Sequence, residues 1–325
     1  MNMNRKQFGQ LALAAGLALG FAGTAAAQAG YPGKPINMVV PAAAGGTTDL
    51  AARMTAQALG PVLGQTIVVE NKGGGNGNIA AAQVKRAEAD GYNLLMQYSG
   101  FHVISPHLGK SSWELADFVP VANVLSAPQI VVVRGDLPAN TMQELVAYAK
   151  ANPMKLNYAS SGNGSLQHVT GVQLEQAAGI QMVHVPYKGS GPAITDLLGG
   201  QLDALFEGMV TATGYVRSGK LRLLAVTSER RVKAFPDVPT LAELVPGVSG
   251  AAWFGISAPA RTPAPITERL QAEVLAVLQS ADMQTRLGDL GMTPLPYGST
   301  ETLAFIQNEM RKWAPVIKAA NVKVD

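Results

Sequence analysis

A strand-like apolar run that ends in glycines and hydroxyl residues and then opens a helix occurs twice in this chain. That repeated βα unit restricts the fold to an α/β design. The first copy is Ile36-Asn-Met-Val-Val40-Pro-Ala-Ala-Ala44-Gly45-Gly46-Thr47-Thr48-Asp49, and the second is Leu156-Asn-Tyr-Ala-Ser160-Ser161-Gly162-Asn163-Gly164-Ser165-Leu-Gln-His168. A helix start leaves N–H groups without an acceptor and carries the positive end of the dipole. Such a turn therefore holds a carboxylate or phosphate without any charged side chain. Two of them facing one cleft clamp a small anion, with the backbone N–H of Ser165 expected to do more than its hydroxyl. Taken alone, the first turn reads equally well as ordinary βα-loop chemistry with Thr or Asp as a cap.

Strand-like and helix-like segments alternate along the rest of the chain, which predicts a parallel arrangement. Ile36–Val40, Thr66–Glu70 and Asn93–Met96 read as strands, with helices over Thr48–Leu63 and Asn78–Arg86 between them. Thr141 with Glu144 fits a capping box opening a helix to Ala151, stopped by Asn152-Pro153. A second set of strands follows at Leu156–Ser160, Val183–Val185, Leu202–Phe206 and Leu221–Thr227, with helices at Ser165–Ala178, Pro192–Leu198 and Ala212–Ser218. Another strand near Ala251–Ser257 precedes helices at Ile266–Leu278, Ala281–Leu290 and Thr300–Ala320. Leu125–Pro128 and Phe235–Gly250, rich in Gly and Pro, are the expected crossings between lobes. The expected division is residues 28–127 with 251–325 as one lobe and 128–250 as the other. In open α/β sheets ligands bind outside the carboxyl ends of the strands, where both turns lie, so the cleft is expected between the lobes.

Residues 1–27 read as a secretory signal. Arg5 and Lys6 precede an apolar stretch from Leu11 to Phe21, and Ala25-Ala26-Ala27 forms a small-residue cleavage site. Beyond it no apolar run approaches the roughly 20 residues of a membrane helix. Without Arg5 and Lys6 the 25 basic residues become 23 against 22 acidic ones. A balance so close to neutral carries no basic footprint for nucleic acid. The absence of cysteine excludes thiol nucleophiles, thiolate metal sites and redox motifs, and leaves stability to the core.

Several smaller motifs have plain structural readings. Gly75, Gly77 and Ala80 match Gly-x-Gly-x-x-Ala, but Glu70-Asn71-Lys72 separates them from the strand, so a turn capping the next helix is the better account than a dinucleotide site. The four histidines His102, His107, His168 and His184 lack metal-ligand spacing, and no Gly-x-Ser-x-Gly occurs. His184 reads as a core histidine; His168, one turn inside the helix, either supports the turn before it or reaches the cleft, with support the preferred reading. Arg134-Gly135-Asp136 is a solvated turn after a strand. Lys188, after the strand Val183–Val185, either offsets an anion or is solvated.

With these residues in view, the chain resembles the substrate-binding receptors of tripartite tricarboxylate transporters, the Bug-type periplasmic proteins, over nearly all of its mature length. The similar segments include Tyr31-Pro-x-Lys-Pro35, Val39-Val-Pro41 with Gly45-Gly46-x-x-Asp49, Val68-Val-Glu-Asn71, Ala89-Asp-Gly-Tyr92, Leu156 to Ser165 with His168, and Val185-Pro-Tyr-Lys-Gly189. Asp196-Leu-Leu-Gly-Gly-Gln201, Leu224-Ala-Val-Thr227 and Asp237-Val-Pro-Thr240 extend the match. The resemblance implies a type II periplasmic-binding-protein fold whose two lobes, joined by two crossing segments, close like a Venus flytrap on a carboxylate. Backbone N–H groups at Ala44–Asp49 and Ser161–Ser165 would hold it, often through bridging waters. The chain departs from the family at Ala42-Ala43-Ala44, where Pro and an aromatic are common, and at Phe101, where Thr or Ser commonly precedes His. Glu207 stands where relatives often carry Asp.

The resulting expectation is a periplasmic, monomeric solute-binding receptor without cofactor, metal or catalytic residue. It would capture a small carboxylate, a dicarboxylate first, and deliver it to the membrane permease subunits of a tripartite tricarboxylate transporter. The candidate ligand-binding residues are Ala44, Gly45, Gly46, Thr47, Thr48 and Asp49 in the first turn, and Ser160, Ser161, Gly162, Asn163, Gly164, Ser165 and His168 in the second. Ser99, Phe101 as an apolar wall, Tyr187, Lys188 and Glu207 complete the set. The other readings are a module that presents a ligand to a signalling partner and, behind it, a hydrolase.

Overall fold

A computed structural model describes residues 30–74, 77–107, 111–187, 190–248 and 250–320. The signal segment 1–27, Gly75 and Lys188 lie outside the described residues. The first lobe begins with β1 (Ile36–Val40), α1 (Thr47–Leu63), β2 (Ile67–Asn71), α2 (Asn78–Arg86) and β3 (Asn93–Tyr98). Val, Ile and Met make up most of β1 and Leu and Met the middle of β3, and β1 pairs in parallel with both β2 and β3. Such strands carry apolar residues on both faces because helices cover both. Met38, Leu94 and Met96 meet Leu59 of α1 on one side. On the other side Val39 and Leu95 meet Ala80 and Val84 of α2.

The second lobe repeats the plan. It contains α3 (Met142–Ala151), β5 (Asn157–Ser160), α4 (Leu166–Ala178), β6 (Val183–Pro186), α5 (Ser190–Leu198), β7 (Ala204–Gly208), α6 (Met209–Arg217), β8 (Leu221–Val226) and α7 (Leu241–Leu244). Here β5 lies between β6 and β7, parallel to both. Thr141 caps α3 by accepting from the Glu144 N–H at 3.1 Å, while the Glu144 carboxylate reaches the N–H of Asn140 at 2.6 Å. The expected box is thus closed one residue early.

Strands β4 (Phe118–Arg134) and β9 (Ala251–Pro259) join the lobes, followed by α8 (Ala264–Gln279), α9 (Ala281–Asp289), β10 (Thr293–Pro294) and α10 (Ser299–Ala320). The strand order is β2-β1-β3-β9-β4-β7-β5-β6, with β8 and β10 also paired to β4. Parallel pairing therefore holds only within each lobe. The joining strand β4 runs antiparallel to β9, β7 and β8, and β9 runs antiparallel to β3.

Both crossings are tighter than the sequence suggests. Leu125–Pro128 is the middle of the 17-residue β4 rather than a loop. Pairing with β9 ends at Pro128, opposite Ala251, and pairing with β7 begins at Gln129, opposite Gly208. The proline, which has no N–H, thus stands where the partner changes and a ladder bond is least missed. On the return, Leu241, Val245 and Val248 are buried in the second lobe beside Tyr158 and Phe206, so the crossing shrinks to Gly250–Ala251. Thr227 fastens both passages: its N–H donates to the Gln129 carbonyl (2.9 Å), its Oγ1 accepts from Gln129 N–H (2.9 Å), and its carbonyl accepts from Gly250 N–H (3.0 Å).

A turn of π-helix at Gly100–Ile104, which the sequence pattern does not signal, follows β3. Val103 and Ile104 from this turn pack with Leu166 and Val169 of α4 and with Ile306, Trp313 and Ile317 of α10. The C-terminal helix, expected with the first lobe, therefore touches both.

Candidate functional site

The first turn is held by Asp49. Its Oδ2 accepts from the Gly45 N–H (2.9 Å) and from Arg53 Nε (3.0 Å), and its Oδ1 accepts from Asn71 Nδ2 (3.0 Å). Burial pushes the Asp49 pKa up, but the hydrogen bonds from Arg53, Gly45 and Asn71 outweigh it and keep the carboxyl below its ordinary value. Asp49 thus braces the turn from behind instead of presenting its charge to the cleft. Gly45, at φ 85°, adopts a conformation that a side chain resists. Gly46 caps α1 without a side chain, and the first helical bond runs from Leu50 N–H to the Gly46 carbonyl. The N–H groups of Thr47, Thr48 and Asp49 consequently have no acceptor within the helix.

The second turn is braced more completely. Ser160 Oγ lies 2.7 Å from His184 Nε2 and accepts from Gly162 N–H at 3.2 Å. Ser165 caps α4 by accepting from His168 N–H at 3.2 Å, and its own N–H donates to the Gly162 carbonyl at 3.1 Å. That second bond reverses the expectation for Ser165: its backbone donor is engaged within the turn, and its hydroxyl is the cap. The Gly164 N–H donates to His168 Nδ1 at 3.1 Å, which places the ring proton on Nε2. His168 stacks on His184 with centroids 3.8 Å apart. Burial holds both imidazoles at about 4, His184 also through the nearby His168. His168 therefore supports the turn, as its position one turn into the helix suggested. Ser161 Oγ donates to Gln167 Oε1 at 3.0 Å, and the Tyr187 N–H ties to the Ser160 carbonyl at 3.0 Å. Leu166 and Gln167 are left as first-turn N–H groups without a helical acceptor.

These two turns come from different lobes, and the first meets the other lobe at the end of β7. Gly208 closes that strand and begins α6 at once, three residues earlier than the sequence pattern indicates. A Cβ on Gly208 would lie 2.3 Å from Thr47 Oγ1 of the opposite lobe. Beside it Met209 rests on Gly291, and Val210 packs against the first lobe's core. Gln129, opposite Gly208, is a buried polar group at the junction, 2% exposed with Oε1 unpaired; Ser99, which follows β3, is equally buried with Oγ unpaired. Sequence reasoning missed Gly208, Gln129 and Thr227. The only local signal was the Glu-Gly step ending an apolar strand.

Other candidates stand apart. Phe101 is fully buried and stacked on Trp113 at 3.9 Å, pressed against Gly77, so it forms no wall of the cleft. A π-helical turn directs it inward, which residue type alone did not reveal. Glu207 pairs with Ile130, and Ile130 packs with Leu205 and Ile194 on one face of the sheet, whereas Tyr158 and Phe206 lie on the other. Alternation puts Ser160 with Tyr158 and leaves Glu207 on the far face, where Thr211 Oγ1 donates to it at 3.0 Å. Burial raises its pKa against hydrogen bonds from Ser190, Gly208 and Thr211. The Tyr187 hydroxyl is committed to Asp196 Oδ2 at 2.6 Å. Ala44 and Gly45 are exposed at the rim, and Asn163 is half-buried.

Among the described residues, no three His, Asp or Glu groups cluster as metal ligands, and no helix is long and apolar enough to cross a membrane. The arrangement suits non-covalent capture of an anion. Ser160 with His184 is a nucleophile–base approach among the described residues, but the serine is fully buried and its hydroxyl donates to the Gly162 carbonyl at 3.0 Å.

Residues 51–322 match the sequence profile of the tripartite tricarboxylate transporter family receptor. The chain is 35% identical to BugT of Bordetella pertussis over 332 aligned positions, covering 100% of both proteins. The solved periplasmic binding protein BugD is 39% identical, with 90% of this chain and 99% of that one superposed at a TM-score of 0.83. An R. palustris protein solved with adipate is 32% identical, with coverage of 90% and 99% and a TM-score of 0.86.

Proposed function

Because the chain belongs to the tripartite tricarboxylate transporter receptor family, whose members are binding proteins and not enzymes, we propose that it captures a small carboxylate, a dicarboxylate foremost, between its two lobes. The observation that supports this reading is a pair of glycine- and hydroxyl-rich helix starts, one in each lobe, at Thr47 and at the Ser160–Ser165 turn, the first of which abuts Gly208 of the other lobe. Each offers backbone N–H groups and a positive dipole end, and neither needs a lysine or arginine to hold an anion. A dicarboxylate in an R. palustris relative supports the ligand class. In this reading the protein works in the periplasm, as a monomer, and passes its ligand to the permease subunits of a tripartite tricarboxylate transporter. Native mass spectrometry of gently purified protein, followed by calorimetric titration with the retained compound, tests the proposal. A retained neutral or cationic molecule that binds tightly overturns it.

A further inference from the structure

We propose that Gly208 is the closure stop of the cleft, and that the size of residue 208 sets the shortest ligand the lobes can grip. The inference rests on the reading of an interlobe ligand site and adds the residue that gauges it. Gly208 has φ −62° and ψ 132°, a conformation open to any residue, so the backbone does not require glycine. Sterics do. The three atoms nearest to a Cβ there all belong to Thr47: Oγ1 at 2.3 Å, Cβ at 3.4 Å and Cγ2 at 3.8 Å. The glycine is therefore demanded by the opposite lobe and by the residue that opens one of the two anion-holding helices. A single methyl group would have to move Thr47 away by roughly 1 Å to reach van der Waals distance. Oγ1 alone is too close, and Thr47, branched at Cβ, has few χ1 rotamers in the first turn of α1, so the clash is relieved either by turning this side chain or by moving the helix start. The gap between the two helix starts is the ligand's length allowance, so the effect falls hardest on short ligands.

The chain contains no cysteine, so one spin label can be placed on each lobe, at Arg86→Cys and Lys150→Cys, without competing thiols. Distances measured with saturating succinate or adipate, together with calorimetric affinities, decide the matter. For Gly208→Ala a longer ligand-bound distance is expected, with succinate affinity falling about tenfold and adipate affinity much less, as for a misfitted methylene. Thr47→Ala combined with Gly208→Ala should return the distance to that of the parent. Thr47→Ala alone, which removes the stop from the other side, should shorten it and serves if Gly208→Ala does not fold. Unchanged bound distances in these variants overturn the stop while leaving the carboxylate reading intact. Failure of the parent protein to bind either diacid overturns the functional reading and the stop together.

Discussion

His168 and His184 stack face to face, their ring planes within 4° of parallel, and each holds a different part of the Ser160–Ser165 turn. His168 accepts from the Gly164 N–H, and His184 meets the Ser160 hydroxyl. The turn is thus supported by two rings that are both neutral.

That neutrality predicts acid sensitivity. Both folded pKa values lie at about 4, against about 6.5 for an unperturbed histidine. Between those values the unfolded chain takes up protons that the folded chain refuses, so stability falls as pH drops from 6.5 toward 4. The melting temperature should decline across this window, and His184→Gln should flatten the decline. A slope unaltered by that substitution would show that the pair does not govern it.

Asp49 is expected to act on ligand binding through the turn. Asp49→Ala releases the Gly45 N–H and removes one acceptor each from Arg53 and Asn71, with an expected loss of about 1–3 kcal/mol in stability and weaker ligand binding. Asp49→Asn retains one acceptor and should lose less of both. Urea denaturation and titration on the same samples separate the two effects. Equal loss in both variants would indicate direct contact with the ligand.

Ser165 should reveal which of its two bonds matters. Ser165→Ala removes the cap and is expected to cost about 1 kcal/mol. Ser165→Pro suits the local φ of −71° but also deletes the donor to the Gly162 carbonyl. It should weaken ligand binding more than the alanine change does. Equal binding losses would locate the whole effect in the hydroxyl.

Phe101 belongs to the core, so Phe101→Leu should lower stability and leave the ratio of affinities for aromatic and aliphatic diacids unchanged. Competition titration with terephthalate and adipate reads that ratio directly.

An anion site should also discriminate by charge. Mono- and dicarboxylates, but not neutral amides of matching shape, are expected to raise the melting temperature. Ligand at 100 times its dissociation constant stabilises by about 2.7 kcal/mol. Amides that stabilise equally well would remove the basis for an anion site in either turn.

What was legible in the sequence was what local chemistry determines. The strands, the glycine turns and most helix bounds follow from apolar periodicity and from residues such as Gly45 and Ser165, whose roles are settled within a few positions. The misses depend on partners far away in the chain. The side of the sheet that Glu207 faces is set by its pairing with Ile130. Phe101 turns inward because Trp113 and Gly77 receive it. Gly208 looks like an ordinary strand end until Thr47 arrives from the other lobe. The Ser165 N–H, expected at the ligand, is claimed by a carbonyl three residues back.

The passage of β4 through both sheets bears on how the molecule comes apart. Its pairing passes, with irregularities of register near Val121, Val124 and Val131, from β9 to β7 and β8, and changes partner between Pro128 and Gln129. Melting either half would strip one end of the same strand and expose β4 residues such as Ile130 and Val131 that are buried in the intact fold. The two cores are therefore thermodynamically coupled, and scanning calorimetry should show one heat-absorption peak whose calorimetric and van't Hoff enthalpies agree.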